Sequence, residues 1–303
     1  MTKRLLGDNH PHVANSLNNL ACLYDSQGRY TEAEPLYLEA LDLRKRLLGD
    51  NHPDVATSLN NLALLYQSQG RYTEAEPIYL EALDLRKRLL GDNHPHVATS
   101  LNNLAELYRS QGRYTEAEPL YLEALDLRKR LLGDNHPDVA NSLNNLAGLY
   151  YSQGRYTEAE PLCLEALDLT KRLLGDNHPH VANSLNNLAY LYDYQGRYTE
   201  AEPLYLEALD LRKRLLGDNH PDVATSLNNL AALYDYQGRY TEAEPLYLEA
   251  INIAIQALGE NHPLTQTVYR NYLRMLSQLP EAELRQRFPD EVVEMLKPKP
   301  PHP

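Results

Sequence analysis

Residues 11–52 read PHVANSLNNLACLYDSQGRYTEAEPLYLEALDLRKRLLGDNH, and the same string returns along the chain with few changes. Its His-Pro boundary recurs at Pro11, Pro53, Pro95, Pro137, Pro179, Pro221 and Pro263, always 42 residues apart. Six complete units (11–52, 53–94, 95–136, 137–178, 179–220 and 221–262) and part of a seventh follow without a gap. A fixed period of this length is the signature of a repeat architecture, in which each unit is one supersecondary element stacked on its neighbour.

Two helices are legible inside the unit. The first is expected from about Pro11 to Gln27, with Val13, Leu17, Leu20, Ala21 and Tyr24 on one face. Pro11 suits the first turn, where its missing N–H costs little, and Gly28 suits a left-handed C-terminal turn. Thr31-Glu32-Ala33-Glu34 reads as a capping box opening the second helix, with Pro35 still in its first turn. Leu36, Tyr37, Ala40, Leu41, Leu47 and Leu48 make its apolar stripe. Gly49 closes it, after Arg44, Lys45 and Arg46 in a last turn whose dipole favours positive charge. One hairpin alone leaves these stripes in water. Stacking buries them, with Ala21, Ala33 and Ala40 small enough for close approach, so the expected fold is all-α, an elongated solenoid of antiparallel helix-turn-helix pairs.

Leu17, Leu20, Ala21, Tyr24, Gly28, Tyr30, Ala33, Tyr37 and Ala40 match, in order and spacing, the tetratricopeptide signature. That repeat is usually about 34 residues long. Here the second helix and loop are longer, Lys45 stands where the usual proline follows, and 59–98 resembles the repeats of kinesin light chain. The resemblance covers roughly residues 1–276. It implies a right-handed superhelix whose concave face, lined by the first helix of each pair, grips peptide segments of partner proteins. The heptad coiled coil by which kinesin light chains attach to the motor is absent from this sequence, so motor association does not carry over.

Composition narrows the function. A formal charge of −13 disfavours nucleic acid, which needs a basic surface. No apolar run approaches the ~20 residues of a membrane helix. Only Cys22 and Cys163 occur, more than three repeats apart, which predicts free thiols in a reducing, cytoplasmic setting. The loop histidines recur about one repeat apart, too far to share an ion, and read as helix starters. The carboxylates recur on the solvent face of every unit, no Gly-rich phosphate loop is present, and neither cysteine has an activating base nearby in sequence. The expectation is a non-enzyme with neither cofactor nor metal.

Differences among the units point to a binding face. Along the first helix only the columns beginning at His12, Asn15, Cys22, Asp25 and Ser26 vary. At 100° per residue they fall within an arc of about 140°, shared with the unvarying Asn18 and Asn19. On the second helix Glu39, Asp42, Arg44, Lys45 and Asp50 are expected to be exposed, yet through five units only Ile78, Cys163 and Thr170 deviate there. Change is therefore concentrated on the side the resemblance assigns to ligands. The inner arc carries Tyr151, Tyr190, Tyr194 and Tyr236, the asparagine ladder Asn103, Asn145, Asn187 and Asn229, and Arg109 as its one basic residue. Tyrosine offers contact area at low entropic cost, and a primary amide pairs with peptide backbone. These residues are the candidate partner-binding set. Drift at exposed positions, or packing of the tyrosines between neighbouring first helices, is the alternative. No lysine or arginine stands at the Asn15 column, which disfavours capture of a C-terminal carboxylate.

At the ends, residues 1–10 match the close of a second helix, 263–296 read as capping helices in which Arg270, Asn271 and Arg274 make a polar exterior, and 297–303 as a disordered tail. Three functions fit: an adaptor or scaffold, a sensor array belonging to a larger signalling or enzyme-containing protein, or a self-associating structural array joined end to end through the N-terminal face.

Overall fold

The structure, a computed structural model, describes residues 9–297. The expected helix remnant and tail fall, except for residues 9, 10 and 297, outside the described residues. Two compact units divide the chain at Asp176 and Asn177. Unit 1 holds four hairpins: α1 (Pro11–Ser26) with α2 (Tyr30–Leu48), α3 (Pro53–Ser68) with α4 (Tyr72–Leu90), α5 (Pro95–Ser110) with α6 (Tyr114–Leu132), and α7 (Pro137–Ser152) with α8 (Tyr156–Leu174). Unit 2 holds α9 (Pro179–Tyr194) with α10 (Tyr198–Leu216) and α11 (Pro221–Tyr236) with α12 (Tyr240–Leu258). The lone α13 (Pro263–Gln278) and the short α14 (Glu281–Arg287) and α15 (Asp290–Leu296) follow. Every described element is helical, and none is long and apolar enough to cross a membrane.

Local chemistry sets the helix ends. Each first helix opens on a histidine whose Nδ1 accepts the backbone N–H two residues on, as His52 does from Asp54 at 3.1 Å, so the loop histidines are N-caps. The proline that follows fills a position with no intrahelical partner. At the hairpin turn Gly28 adopts φ 70°, and the Arg29 N–H reaches back to the Tyr24 carbonyl at 2.8 Å. That wrap lets the second helix restart at Tyr30, before the expected Thr31. The capping box does not form, because Arg29 is the N-cap and no side chain caps the helix. Glu34 is engaged elsewhere, accepting from Tyr66 at 3.0 Å and from Arg71 at 2.8 Å in the next hairpin. Pro35 consequently lies inside α2, past its first turn.

Within each unit the apolar stripes are buried between packed helices. Ala21, Ala33 and Ala40 are fully buried, as are Val13 and Tyr37. Leu20 departs from its expected core role. It is exposed in α1 together with Leu23, whereas their counterparts Leu62 and Leu65 are buried beneath the hairpin before them. Leu47 is likewise exposed.

Polar staples cross the junctions. Arg44, expected on the surface, is instead buried. Its Nη1 donates to Ser58 Oγ (2.6 Å) and the Asp54 carbonyl (3.1 Å) of the next first helix, and its Nη2 to Asn15 Oδ1 (2.8 Å). Arg86, Arg128 and Arg212 repeat the contact to Ser100, Ser142 and Ser226 at 2.7 Å. Arg71 adds a guanidinium 3.9 Å from the Tyr66 ring centroid. Second-helix residues that vary little therefore have structural duties: Arg44 (Thr170 in the fourth repeat) is a buried donor, Lys45 pairs with Glu81, and Arg46 with Asp42. The sequence contrast between the two helices loses much of its weight as evidence for ligand binding.

Candidate protein-binding face

Successive first helices lie side by side within each unit, α1 against α3, α3 against α5, α5 against α7 in unit 1, and α9 against α11, α11 against α13 in unit 2. The asparagines bind this row to itself. Asn103 Nδ2 donates to Asn60 Oδ1 at 2.9 Å, Asn145 to Asn102 at 2.8 Å, and in unit 2 Asn229 to Asn186 at 2.9 Å. Their donors are thus committed to neighbouring helices, which is a structural reason for their constancy. Asn187 is exposed on α9.

In unit 1 much of the variable face bonds to the helices around it, although burial raises the Asp25 carboxyl there as well. Arg109 forks onto Glu106 of its own helix, Nε to Oε2 at 2.9 Å, and its Nη1 reaches Ser152 Oγ at 3.1 Å. Beneath this face the second-helix tyrosine of the first three repeats points its hydroxyl toward the first helix, and Cys163 takes that position in the fourth. Tyr37 meets Cys22 Sγ at 3.1 Å, Tyr79 meets Gln67 Oε1 at 3.0 Å, and Tyr121 meets Glu106 Oε2 at 2.6 Å. Tyr151 packs on Tyr156 of α8, with ring centroids 5.9 Å apart.

Unit 2 brings the other three candidate tyrosines together. Tyr190, Tyr194 and Tyr236 are 38, 49 and 51% exposed, large values for aromatic side chains. The Tyr190 and Tyr194 rings lie 5.0 Å apart at 54°. With Asn229 all three line a cavity of about 290 Å³, so the tyrosines present surface and are not sealed between helices.

Several residues at or beside this cavity were not singled out from sequence. Asp193 and Asp235 are 6 and 7% exposed. Burial pushes the Asp193 carboxyl up to about 6, and raises that of Asp235 too, where Arg274 pulls it back. Tyr205, of α10, is fully buried on the cavity floor with a hydroxyl that has no hydrogen-bond partner, and the Tyr247 hydroxyl is likewise unpaired. Asn271 and Arg274, expected on a capping exterior, face inward. Asn271 donates to Asn228 at 2.9 Å, and Arg274 binds Asp235 Oδ2 and the Tyr236 hydroxyl, each at 3.0 Å. Arg109 is therefore not the only base on the inner arc. The signal was available: counting 42 residues back from Asn271 and Arg274 gives Asn229 and Ala232, both in inner-facing columns.

Among the described residues, no group of three or more His, Cys, Asp or Glu is placed to hold a metal ion. The two cysteines are unbridged. What the face offers is aromatic surface, amides and isolated charges, the materials of a contact surface.

A succession of helical hairpins that bury their apolar stripes against one another within each unit, with a first-helix face that varies, defines a helical repeat protein. The tetratricopeptide repeat family matches residues 1–46, 26–87, 54–130, 97–160, 138–213 and 193–256, so the chain belongs to that family, in the longer form of kinesin light chain-like proteins. No curated protein matches it. Among similar solved structures, BtubC (BKLC) from P. vanneervenii is 28% identical with a TM-score of 0.60, covering 78% of this chain and 94% of that one. A Podosopora anserina putative kinesin light chain with nearly identical TPR-like repeats is 27% identical with a TM-score of 0.54, covering 68% and 97%. Tetratricopeptide repeats are in general protein-interaction modules.

Proposed function

We propose that the chain is a cytoplasmic adaptor that seats extended peptide segments of partner proteins on its first-helix face, with the tyrosine-lined cavity of unit 2 as the principal seat. The observation that carries this reading is the exposure of Tyr190, Tyr194 and Tyr236 around one cavity, at columns that differ from repeat to repeat. Exposed aromatics at a concave site are the usual anchors of an interface. In unit 1, Arg109 and the asparagines Asn103 and Asn145 support the face and are less available, being bonded within it. The two unbridged cysteines support the reducing compartment.

The test is selection of peptides from a random extended library against the full chain, then against the Tyr190→Ala/Tyr194→Ala double variant, with circular dichroism to confirm equal helicity. Selected peptides should lose at least tenfold in affinity for the variant, as ~1.4 kcal/mol or more of aromatic contact disappears. Equal affinity for both proteins overturns the seat. A second reading, self-association through the N-terminal face, is favoured by the exposed Leu20 and Leu23 of α1. It requires a mass that rises with concentration in sedimentation and stays monomeric in Leu23→Glu.

A further inference from the structure

We propose that the hollow bounded by Asp193, Tyr194, Tyr198 and Tyr236 receives the guanidinium of an arginine side chain carried by the partner peptide. This rests on the reading of unit 2 as a peptide seat and names the group the seat recognises.

The repeat supplies its own template. One period further along, Asp235, Tyr236 and Tyr240 bound an equivalent hollow, lined also by Arg274 and Gln278. There the Arg274 guanidinium sits 3.0 Å from Asp235 and 4.9 Å from the Tyr236 ring centroid, donating to the Tyr236 hydroxyl. Carboxylate, tyrosine and guanidinium form a closed set: the charges neutralise each other and the planar cation lies against an aromatic face. Forty-two residues before Arg274 stands Ala232. At the Asp193 hollow, then, the chain keeps the carboxylate and the tyrosines and replaces the guanidinium with a methyl group.

What that leaves is a space of about 230 Å³ lined by Asp193 and three tyrosines. Asp193 is as buried as Asp235, yet no lysine or arginine of the described residues pairs with it. A carboxylate this buried is rarely left without a cation, because desolvation is repaid only by a partner. A second group points the same way. The buried Tyr205 hydroxyl lies among Asp193, Tyr190, Tyr194 and Tyr236 and has no hydrogen-bond partner. Asp193 lines both this hollow and the adjoining cavity to which Tyr205 belongs, so an entering guanidinium, with its five N–H donors, can engage the carboxylate and a neighbouring phenol oxygen together. The net charge of −13 favours the approach of a basic segment.

The probe is N-acetyl-arginine amide, titrated into the full chain and followed by backbone amide NMR at Asp193 and Tyr194. Saturable shifts with a Kd on the order of 1 mM are expected, about what one ion pair on an aromatic wall sustains. N-acetyl-citrulline amide, the same shape without charge, should give none; equal shifts from it overturn the proposal. Asp193→Asn should weaken binding roughly tenfold or more. Ala232→Arg should abolish it, because its own guanidinium fills the hollow, and should move the Asp193 carboxyl titration downward without any ligand. Wild-type binding in a folded Ala232→Arg chain refutes the assignment. If library selection yields no peptides but the arginine amide binds, the seat fails and the cation site stands. If peptides bind through Tyr190 and Tyr194 but the arginine amide produces no saturable shift, the cation site alone is lost.

Discussion

Asp193→Asn should make the protein more stable, and by an amount that depends on pH. The Asp193 carboxyl is lifted from its ordinary 3.8 to about 6 by burial. The groups facing it are Tyr190 and Tyr194 on α9, Tyr198 and Tyr205 on α10, and Tyr236 on α11, none of which carries positive charge. Arg274 of α13 lines the wider cavity but is bound to Asp235. A carboxyl with a raised folded-state pKa holds its proton more tightly in the native chain than in the unfolded one. Its contribution to stability is therefore fully present below about 3.8 and is lost as pH rises through about 6. A tenfold difference in proton affinity is worth about 1.36 kcal/mol, so the ionised group costs up to ~3 kcal/mol at neutral pH, and about 1–3 kcal/mol after allowance for water at the mouth of the hollow. Asparagine removes the charge while keeping the shape. Urea denaturation followed by circular dichroism at pH 7.5, 6.0 and 4.0 should show the variant ahead by about 1–3 kcal/mol at the highest pH, with the gap closing toward pH 4. A variant that is less stable at pH 7.5, or a gap that does not change with pH, would mean that the carboxylate already has a partner, and the unpaired charge would have to be given up. Stabilisation together with loss of arginine-amide binding is the trade expected of a residue kept for recognition.

Other expectations are simpler. Arg86→Met keeps the aliphatic stem but deletes the donor to Ser100 at 2.7 Å and to the His96 carbonyl at 3.2 Å; loss of these charge-assisted bonds should cost about 1.5–3 kcal/mol in urea denaturation, and an unchanged midpoint would show that the staple does not hold the stack. Gly133 sits at φ 79°, ψ 163° with nothing within 4 Å of an added Cβ, so Gly133→Ala should cost about 1–3 kcal/mol from backbone strain alone, and a neutral result would show that the turn relaxes. Burial pushes the Cys163 thiol up to about 12 while Cys22 is exposed; a thiol reagent at pH 8 should label Cys22 in the native chain and both cysteines in denaturant, and native labelling of Cys163 would show that α8 opens readily.

How much of the fold was legible in the sequence follows from which interactions are local. The hairpins were readable because Pro11, Gly28, Gly49 and the apolar spacing act within a turn or two of themselves. The failures involve residues whose surroundings are set by a neighbouring repeat. Thr31 and Glu34 spell a capping box, but Glu34 is taken by Tyr66 and Arg71, 32 and 37 residues on. Arg44 reads as a helix-end cation, yet its stem runs under the junction and its head meets Ser58. Leu20 belongs to the apolar stripe, but that part of the stripe is buried only where a preceding hairpin lies over it, as for Leu62. The site divides the same way. Exposed columns identified Tyr190, Tyr194 and Tyr236 from periodicity alone, while Asp193 gained meaning only when its burial was seen, and Arg274 only when α13 was placed in the repeat register.

The staples also give a physical reason for placing the proposed seat in unit 2. Constant residues are spent on each other: the arginine on a serine, the glutamate on a tyrosine and an arginine, asparagine on asparagine. In unit 1 the changes remain compatible with the structure beneath them, since Cys22, Gln67 and Glu106 each accept the hydroxyl of a buried tyrosine. In unit 2 they do not. Asp193 and Tyr190 leave the Tyr205 hydroxyl unmatched, and Ala232 withholds the guanidinium that Asp235 receives from Arg274. Buried polar groups without partners are costly, so a stack that tolerates them beside three exposed tyrosines is set up to gain more from a ligand there than at any point where the face already satisfies itself.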